Sequence, residues 1–269
     1  LMGKRFNYTV SATLGDNKTV FTKFNNPEKN LSNHYEGKVL GEIWGYRVDG
    51  LFASDEEAAE YTSKINQDAV NERILTDKVD PYYRAGDLKF RDLDGDNVIS
   101  KGDDTAYDAG DREIIGNETP RYMYSFRLGA DWNGFDLGIF FQGVGKRDWY
   151  PNYLSTGFWG PYSRAFTSFI PENFMDQCWS EENRDGYFPR FRGYQTFAGS
   201  QLGVNNDRYL QDASYIRLKN LTVGYTLPVL KKVFTKLRVY FTGENLWYWS
   251  PMLKHTKYID PEAAGGNGN

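Results

Sequence analysis

The chain has 269 residues and a formal net charge of −4, so it carries no basic footprint for nucleic acid. Its single cysteine excludes an intrachain disulfide and a cysteine-built metal site, and no apolar run is long enough for a transmembrane helix. Aromatic residues are 17% of the chain within a hydrophobic content of 40%, and glycine is abundant, which favours strands and turns over helix bundles.

Leu1-Met2-Gly3-Lys4-Arg5 leads straight into a strand with no signal peptide, so the chain is expected to start inside something longer. Near residues 4–14, Phe6, Tyr8, Val10, Ala12 and Leu14 alternate with Asn7, Thr9, Ser11 and Thr13. That is the period of a strand with one apolar and one wet face. A turn at Gly15, Asp16 and Asn17 predicts a return strand near 18–24. Residues 25–120 read as a long connection. Within it, Ser54 and Glu57 have capping-box spacing, and helix formers continue to about Leu75.

Residues 121–132 and 134–145 form the clearest hairpin. Tyr122, Tyr124, Phe126, Leu128, Ala130 and Trp132 share one parity, and Phe135, Leu137, Ile139 and Phe141 answer on the return arm. Asn133-Gly134 between them tolerates the positive φ that a two-residue hairpin turn demands. Each arm matches the ~9–11 residues of a tilted strand that spans a bilayer. Aromatics cluster at the ends of the alternating face, as a membrane girdle requires. A soluble sandwich hairpin alternates in the same way, but its loops are rarely as long as those on either side here.

Residues 146–212 form a second long connection, crowded with rings that include Trp179, Tyr187 and Tyr194. A strand follows near 214–227, with Leu221, Val223, Tyr225 and Leu227 on one parity. Arg217 and Lys219 share that parity, so its first part is expected to sit above the apolar band. Pro228 ends it, and Lys231 and Lys232 mark a basic turn. The last strand, near 236–249, ends in Trp247-Tyr248-Trp249, and the Gly/Asn-rich tail after Pro261 is expected to be disordered. Short turns alternate with long connections, as in outer-membrane barrels with short periplasmic turns and long external loops.

One motif carries chemistry. Asp92, Asp94, Asp96, Val98, Ser100 and Asp103 stand at the one-three-five-seven-nine-twelve spacing of an EF-type loop. Alternate carboxylates on a tight turn, with a backbone carbonyl at Val98, supply the oxygens that a hard cation requires, so a structural Ca2+ is expected. Position six is Asn97 rather than Gly, and position twelve is Asp103 rather than Glu. Trp149, Tyr150, Phe158 and Trp159 are candidate ligand or partner contacts, because aromatic faces anchor sugars and protein interfaces. The competing reading is that these rings pack a small core of their own. No residue is assigned a catalytic role: His34 and His255 lack ligand spacing to a partner, and no nucleophile elbow or phosphate loop is present.

An ordered series of short motifs resembles the C-terminal part of the SusC/RagA family, the TonB-linked outer-membrane transporters of Bacteroidetes. It runs from Gly41-Glu42-Ile43-Trp44-Gly45-Tyr46 through Gly86-Asp87-Leu88-Lys89-Phe90 to Ile114-Ile115-Gly116-Asn117. Gly134-Phe135-Asp136-Leu137, Asp212-Ala213-Ser214-Tyr215-Ile216-Arg217 and Gly243-Glu244-Asn245-Leu246 continue it. The resemblance implies an all-β chain, the last strands of a 22-stranded antiparallel barrel with a plugged lumen, long extracellular loops and one short helix. It implies residence in the outer membrane in contact with lipid, and import of glycans or peptides with no chemistry on the cargo. The implied partners are a SusD-like surface lipoprotein, the remaining barrel strands and plug, and TonB with ExbB and ExbD, engaged through an N-terminal part outside this sequence. The alternative reading is a soluble, calcium-stabilised carbohydrate-binding or adhesive β module.

Overall fold

Period-two segments far apart in sequence come together in one sheet. The computed structural model describes residues 6–163, 166, 170–192, 197, 199–228 and 235–264. Lys4, Arg5, Tyr194, the Lys231 and Lys232 turn and tail residues 265–269 lie outside the described residues. In chain order the strands are β1 (Asn7–Gly15), β2 (Glu42–Tyr46), β3 (Val48–Leu51), β4 (Leu88–Phe90), β5 (Arg112–Asn117), β6 (Arg121–Trp132), β7 (Phe135–Lys146), β8 (Asp148–Trp149), β9 (Gln211–Asp212), β10 (Tyr215–Leu227) and β11 (Leu237–Trp249). The helices of α type are α1 (Asp55–Thr62), α2 (Glu72–Leu75) and α3 (Thr156–Trp159). The chain divides into two compact units: Leu1–Lys18, Pro120–Arg147 and Asp212–Lys254 form the first, and Thr19–Thr119, Asp148–Gln211 and His255–Asn269 the second.

The first unit is an antiparallel sheet in the order β1-β6-β7-β10-β11. Its register collects the apolar parity of every strand on one face. Val10 lies opposite Leu128, Leu128 opposite Ile139, and Ile139 opposite Leu221. The next row is Tyr8, Ala130, Leu137, Val223 and Phe241. Trp132, Phe135, Tyr225 and Val239 close the band at the hairpin end, and Leu14, Tyr124 and Trp249 stand toward the other. The opposite face is mainly polar, with Ser11 facing Arg127 across the ladder and Asn220 facing Glu244. Asn133 at φ +52° and Gly134 at φ +93° make the tight turn that joins β6 to β7. Among the described residues the sheet is open: β1 and β11 each have a partner on one side only, and β1 is exposed along its whole length.

Three expectations are corrected. Residues 18–24 form no strand; β1 pairs with β6 instead. Val20 makes only an isolated bridge to Val39, Phe21 N–H donates to Lys38 O at 2.9 Å, and the Phe21 ring stacks on His34. Asp16, placed in a turn by sequence, pairs instead with the Arg121 guanidinium. Arg217 does not share the facing of the apolar set of β10, because the ladder shifts register between Leu218 and Asn220. That bulge inverts the side-chain parity, so Leu218 meets Phe141 and Trp247 while Arg217 joins Gln142 and Tyr248 on the polar side. The single long helix is cut short at Thr62. Its cap forms as expected, with Ser54 Oγ accepting the Glu57 amide at 3.2 Å. Beyond it, Asn66 is taken by tertiary hydrogen bonds: its N–H donates to Asn97 O at 2.8 Å and its carbonyl accepts from Ile99 at 2.7 Å.

The two long connections fold on each other as the second unit. Tyr46 N–H donates to Asn205 O at 2.9 Å, and the buried Asp87 accepts from Arg192 Nη2 at 2.9 Å. The short strand β4 pairs with β3, and glutamine side chains bind further backbone groups of Leu88. Gln201 Oε1 accepts the Leu88 amide at 2.6 Å, while Gln67 donates to Leu88 O at 3.2 Å. Phe52, Leu88, Phe90 and Ile99 are fully buried around it. The Tyr61 hydroxyl donates to Phe90 O, and burial pushes its pKa up to about 12.

Candidate functional site

The acidic loop sits between β4 and β5 in the second unit. It folds through a series of carboxylate-to-amide hydrogen bonds. Asp92 accepts from Gly95 N–H at 2.7 Å and Asn97 N–H at 2.9 Å; Asp96 accepts from Val98 N–H at 2.7 Å. Asn97 takes φ +67°, the left-handed turn that position six of such a loop requires and that asparagine tolerates. The result brings Asp92, Asp94 and Asp96 together, with one carboxylate oxygen from each within 4.8 Å of the others. Three carboxylates at that range repel one another, and a hard cation among them would relieve the repulsion and supply its own preferred ligands. Asp103 is not in this cluster, and the Ser100 hydroxyl accepts the Gly102 amide at 3.1 Å.

Sequence spacing missed Asp111. It is fully buried, and its carboxylate accepts Leu93 N–H and Ser100 N–H, both at 2.7 Å, which clamps the loop at each end. Desolvation raises its pKa, and the two amides oppose that shift. No local pattern marks it, because the bonds it makes exist only once β5 is in place.

The four candidate contact aromatics separate. Phe158 and Trp159 are 1% and 0% exposed, so they are core residues rather than contact surface. Trp159 meets Phe197 edge-on at 5.0 Å and donates its indole N–H to Pro151 O at 2.9 Å. Phe158 packs edge-on against Phe188 at 5.4 Å, and the buried Trp149 lies beside it. Rings spaced irregularly along a connection had to bury somewhere, and they bury against each other. Tyr150 alone keeps a ring on open space, where it lines two hollows of the second unit.

An antiparallel sheet with a continuous apolar band on one face, a polar face opposite and long insertions at one end of the hairpins has the pattern of a wall segment of a transmembrane-type β-barrel. No family model matches the chain. The TonB-dependent receptor P3 of Formosa agariphila is 31% identical over 87% of the chain, and the TonB-dependent receptor P26 of the same organism 29% over 68%. The chain spans about a fifth of the length of these curated relatives, 20% and 17% respectively. Among solved structures, the RagAB peptide transporter superposes over the whole chain with a TM-score of 0.57 at 21% identity, covering 26% of that protein. The RagAB peptide importer in its "open-open" state gives 0.54 at 20% identity, over 99% of this chain and 25% of that one. The chain belongs to the TonB-dependent receptor family, matches about a fifth of the length of these relatives, and shares its fold with the corresponding part of the RagAB transporter.

Proposed function

We propose that this chain is the C-terminal barrel wall and external loop region of an outer-membrane importer that is driven by TonB with ExbB and ExbD. The importer takes up glycans or peptides together with a SusD-like surface lipoprotein. One observation carries the reading: five strands, drawn from three separated stretches, place every apolar parity on the same face. Val10, Leu128, Val223 and Phe241 on that face are all exposed in the isolated chain. A soluble adhesive module would have to leave this band in water, where an apolar patch of such extent is a liability; lipid removes the conflict. The chain supplies no covalent chemistry on the cargo. Asp92, Asp94 and Asp96 hold a structural calcium ion that stiffens the external surface, with Val98, Ser100 and Asp103 in the same loop.

The test is uptake by the parent organism after deletion of the full-length gene, measured with labelled oligosaccharide and oligopeptide mixtures. Uptake of one ligand class is expected to fail and to return on complementation. Unchanged uptake of both classes, or full-length protein recovered in plain buffer without detergent, would overturn the reading.

A further inference from the structure

The polar face of the five-stranded sheet carries a trough that runs across the strands. Its floor is one register row of small groups, Thr9, Gly129, Gly138, Thr222 and Thr242. The row on the side of the long connections holds Arg127, Phe140 and Glu244, and the row on the side of the hairpin turn holds Asp131, Asp136 and Tyr240. These two rims lie four residues apart along β6, ~13 Å at ~3.3 Å per residue.

Nothing inside the chain accounts for the two glycines of the floor. Neither takes a positive φ, and they face each other in a ladder that keeps its register. A Cβ on Gly129 would come no closer than 3.7 Å to a neighbouring atom, and one on Gly138 no closer than 4.0 Å. Side chains therefore fit at both positions, and glycine there only weakens the strand. Gly224 is the contrast: the ion pair between Asp136 and Arg238 passes over it and leaves no room for a Cβ. A glycine in a strand interior with no bulge, bend or internal crowding marks the close approach of another backbone.

The rims are charged, and their charges are unanswered. The Arg127 guanidinium lies over the Phe140 ring, 5.3 Å from its centroid, and forms no ion pair among the described residues. Glu244 and Asp131 form none either, and all three are exposed. Arg127 and Glu244 share a row but stand three strand steps apart, ~14 Å at ~4.8 Å per step. That exceeds the ~8 Å over which physiological salt screens exposed charges, so neither neutralises the other. In a wall that spans a membrane, inward-facing charges pair with groups brought to them.

We propose, resting on the barrel-wall reading above, that the trough seats one extended segment of the full-length polypeptide from outside these residues. The segment lies across the strands with its backbone on Gly129 and Gly138, sets a carboxylate on Arg127 and turns cations toward Glu244 and Asp131. The chain covers about a fifth of the length of its curated relatives, so the occupant is available in the same polypeptide. The rims leave width for a single segment. A helix, ~10–12 Å across with its side chains, would hold its backbone off the glycines, whereas an extended chain reaches them.

The experiment uses the full-length transporter in outer-membrane preparations. Arg127→Lys keeps the charge and supplies an amine, which a zero-length carbodiimide joins to any carboxylate in contact with it. Mass spectrometry of the digest then names the partner. The coupled carboxylate is expected to lie outside these 269 residues, in a product the size of one chain. Gly138→Val, for which the wall has room, is expected to leave the barrel folded by heat-modifiable mobility. In the Arg127→Lys background it should lower the coupling yield at least about tenfold, as overpacking of a close contact does. Gly138→Ala, a smaller addition, gives the same comparison should valine lower the folded fraction. A folded barrel without coupling, coupling only to residues of this stretch or to another protein, or a yield unchanged by both glycine variants would each overturn the trough. Detergent dependence separates this failure from the larger one. A transporter that needs detergent but shows no coupling loses the trough and keeps its wall; one recovered in plain buffer loses the wall reading itself.

Discussion

Leu128→Arg in the full-length transporter tests the orientation of the sheet most directly. Leu128 stands four residues from Trp132 and four from Tyr124 on the apolar parity of β6. At ~3.3 Å per residue, the distance from either aromatic row is ~13 Å along the strand. A tilt of ~40° reduces this to ~10 Å along the membrane normal, so the two rows bracket ~20 Å, close to the height of a barrel's apolar band. Leu128 is therefore at mid-height, where an arginine facing lipid costs ~2–4 kcal/mol. That is about 30-fold to nearly a thousand-fold in the folding equilibrium, at ~1.4 kcal/mol per factor of ten. The native sequence provides the contrast: Arg127, one residue away, faces the polar side across from Ser11. Ser125→Arg, on Arg127's face, is expected to cost far less, although it removes the 2.6 Å contact between Ser125 Oγ and Thr13 Oγ. The folded fraction is read from heat-modifiable mobility of the barrel in membranes and from urea titration in liposomes. Equal losses for the two variants, or a larger loss for Ser125→Arg, would refute the assignment of the lipid-facing side.

Asp94→Ala combined with Asp96→Ala is expected to abolish a calcium-dependent rise in melting temperature while the sheet signal in circular dichroism stays intact; a chelator that leaves the wild-type melt unchanged would end the calcium assignment, whose oxygen distances are expected at ~2.3–2.6 Å. Glu57 has its pKa lowered, first by the hydrogen bond from Lys89 and then by the Ala53 amide. Its stabilising contribution is complete above the ordinary glutamate value and is lost as pH falls through the lower native value, so Glu57→Gln should flatten the acid limb of the melting profile below pH ~4; an unchanged limb would show that the pairing contributes nothing. Cys178 is 1% exposed and burial pushes its thiol up to about 11, so an impermeant maleimide should leave it unlabelled at neutral pH until the protein is denatured. Against that silent background, Val79→Cys, at a position 91% exposed in a long connection, should be labelled on intact cells and Asn133→Cys, at the hairpin turn, spared; the reverse pattern would invert the topology.

Period-two patterning determined the long strands, because one buried or lipid-facing side imposes alternation that local sequence must carry. The bounds of β6 were legible to the residue, and those of β7, β10 and β11 to within one. The Asn133-Gly134 turn and the Ser54 cap were equally local, since each rests on the conformational preference or hydrogen bond of neighbouring residues. The clustering of Asp92, Asp94 and Asp96 was legible because their spacing is itself the geometry of the turn. What sequence could not determine were the choices made between distant segments. The stretch at residues 18–24, expected to return along β1 after the Gly15–Asn17 turn, bonds instead to the Lys38–Val39 segment, a choice that no local signal records. The bulge at Leu218 reversed the facing of Arg217, and nothing in β10 alone distinguishes a bulged strand from a regular one. The buried Asp111 and the rings of Phe158 and Trp159 acquired their roles only when each long connection folded on itself. A contact between segments far apart in the chain has no period to betray it, so packing decided it and the tertiary structure alone records the outcome.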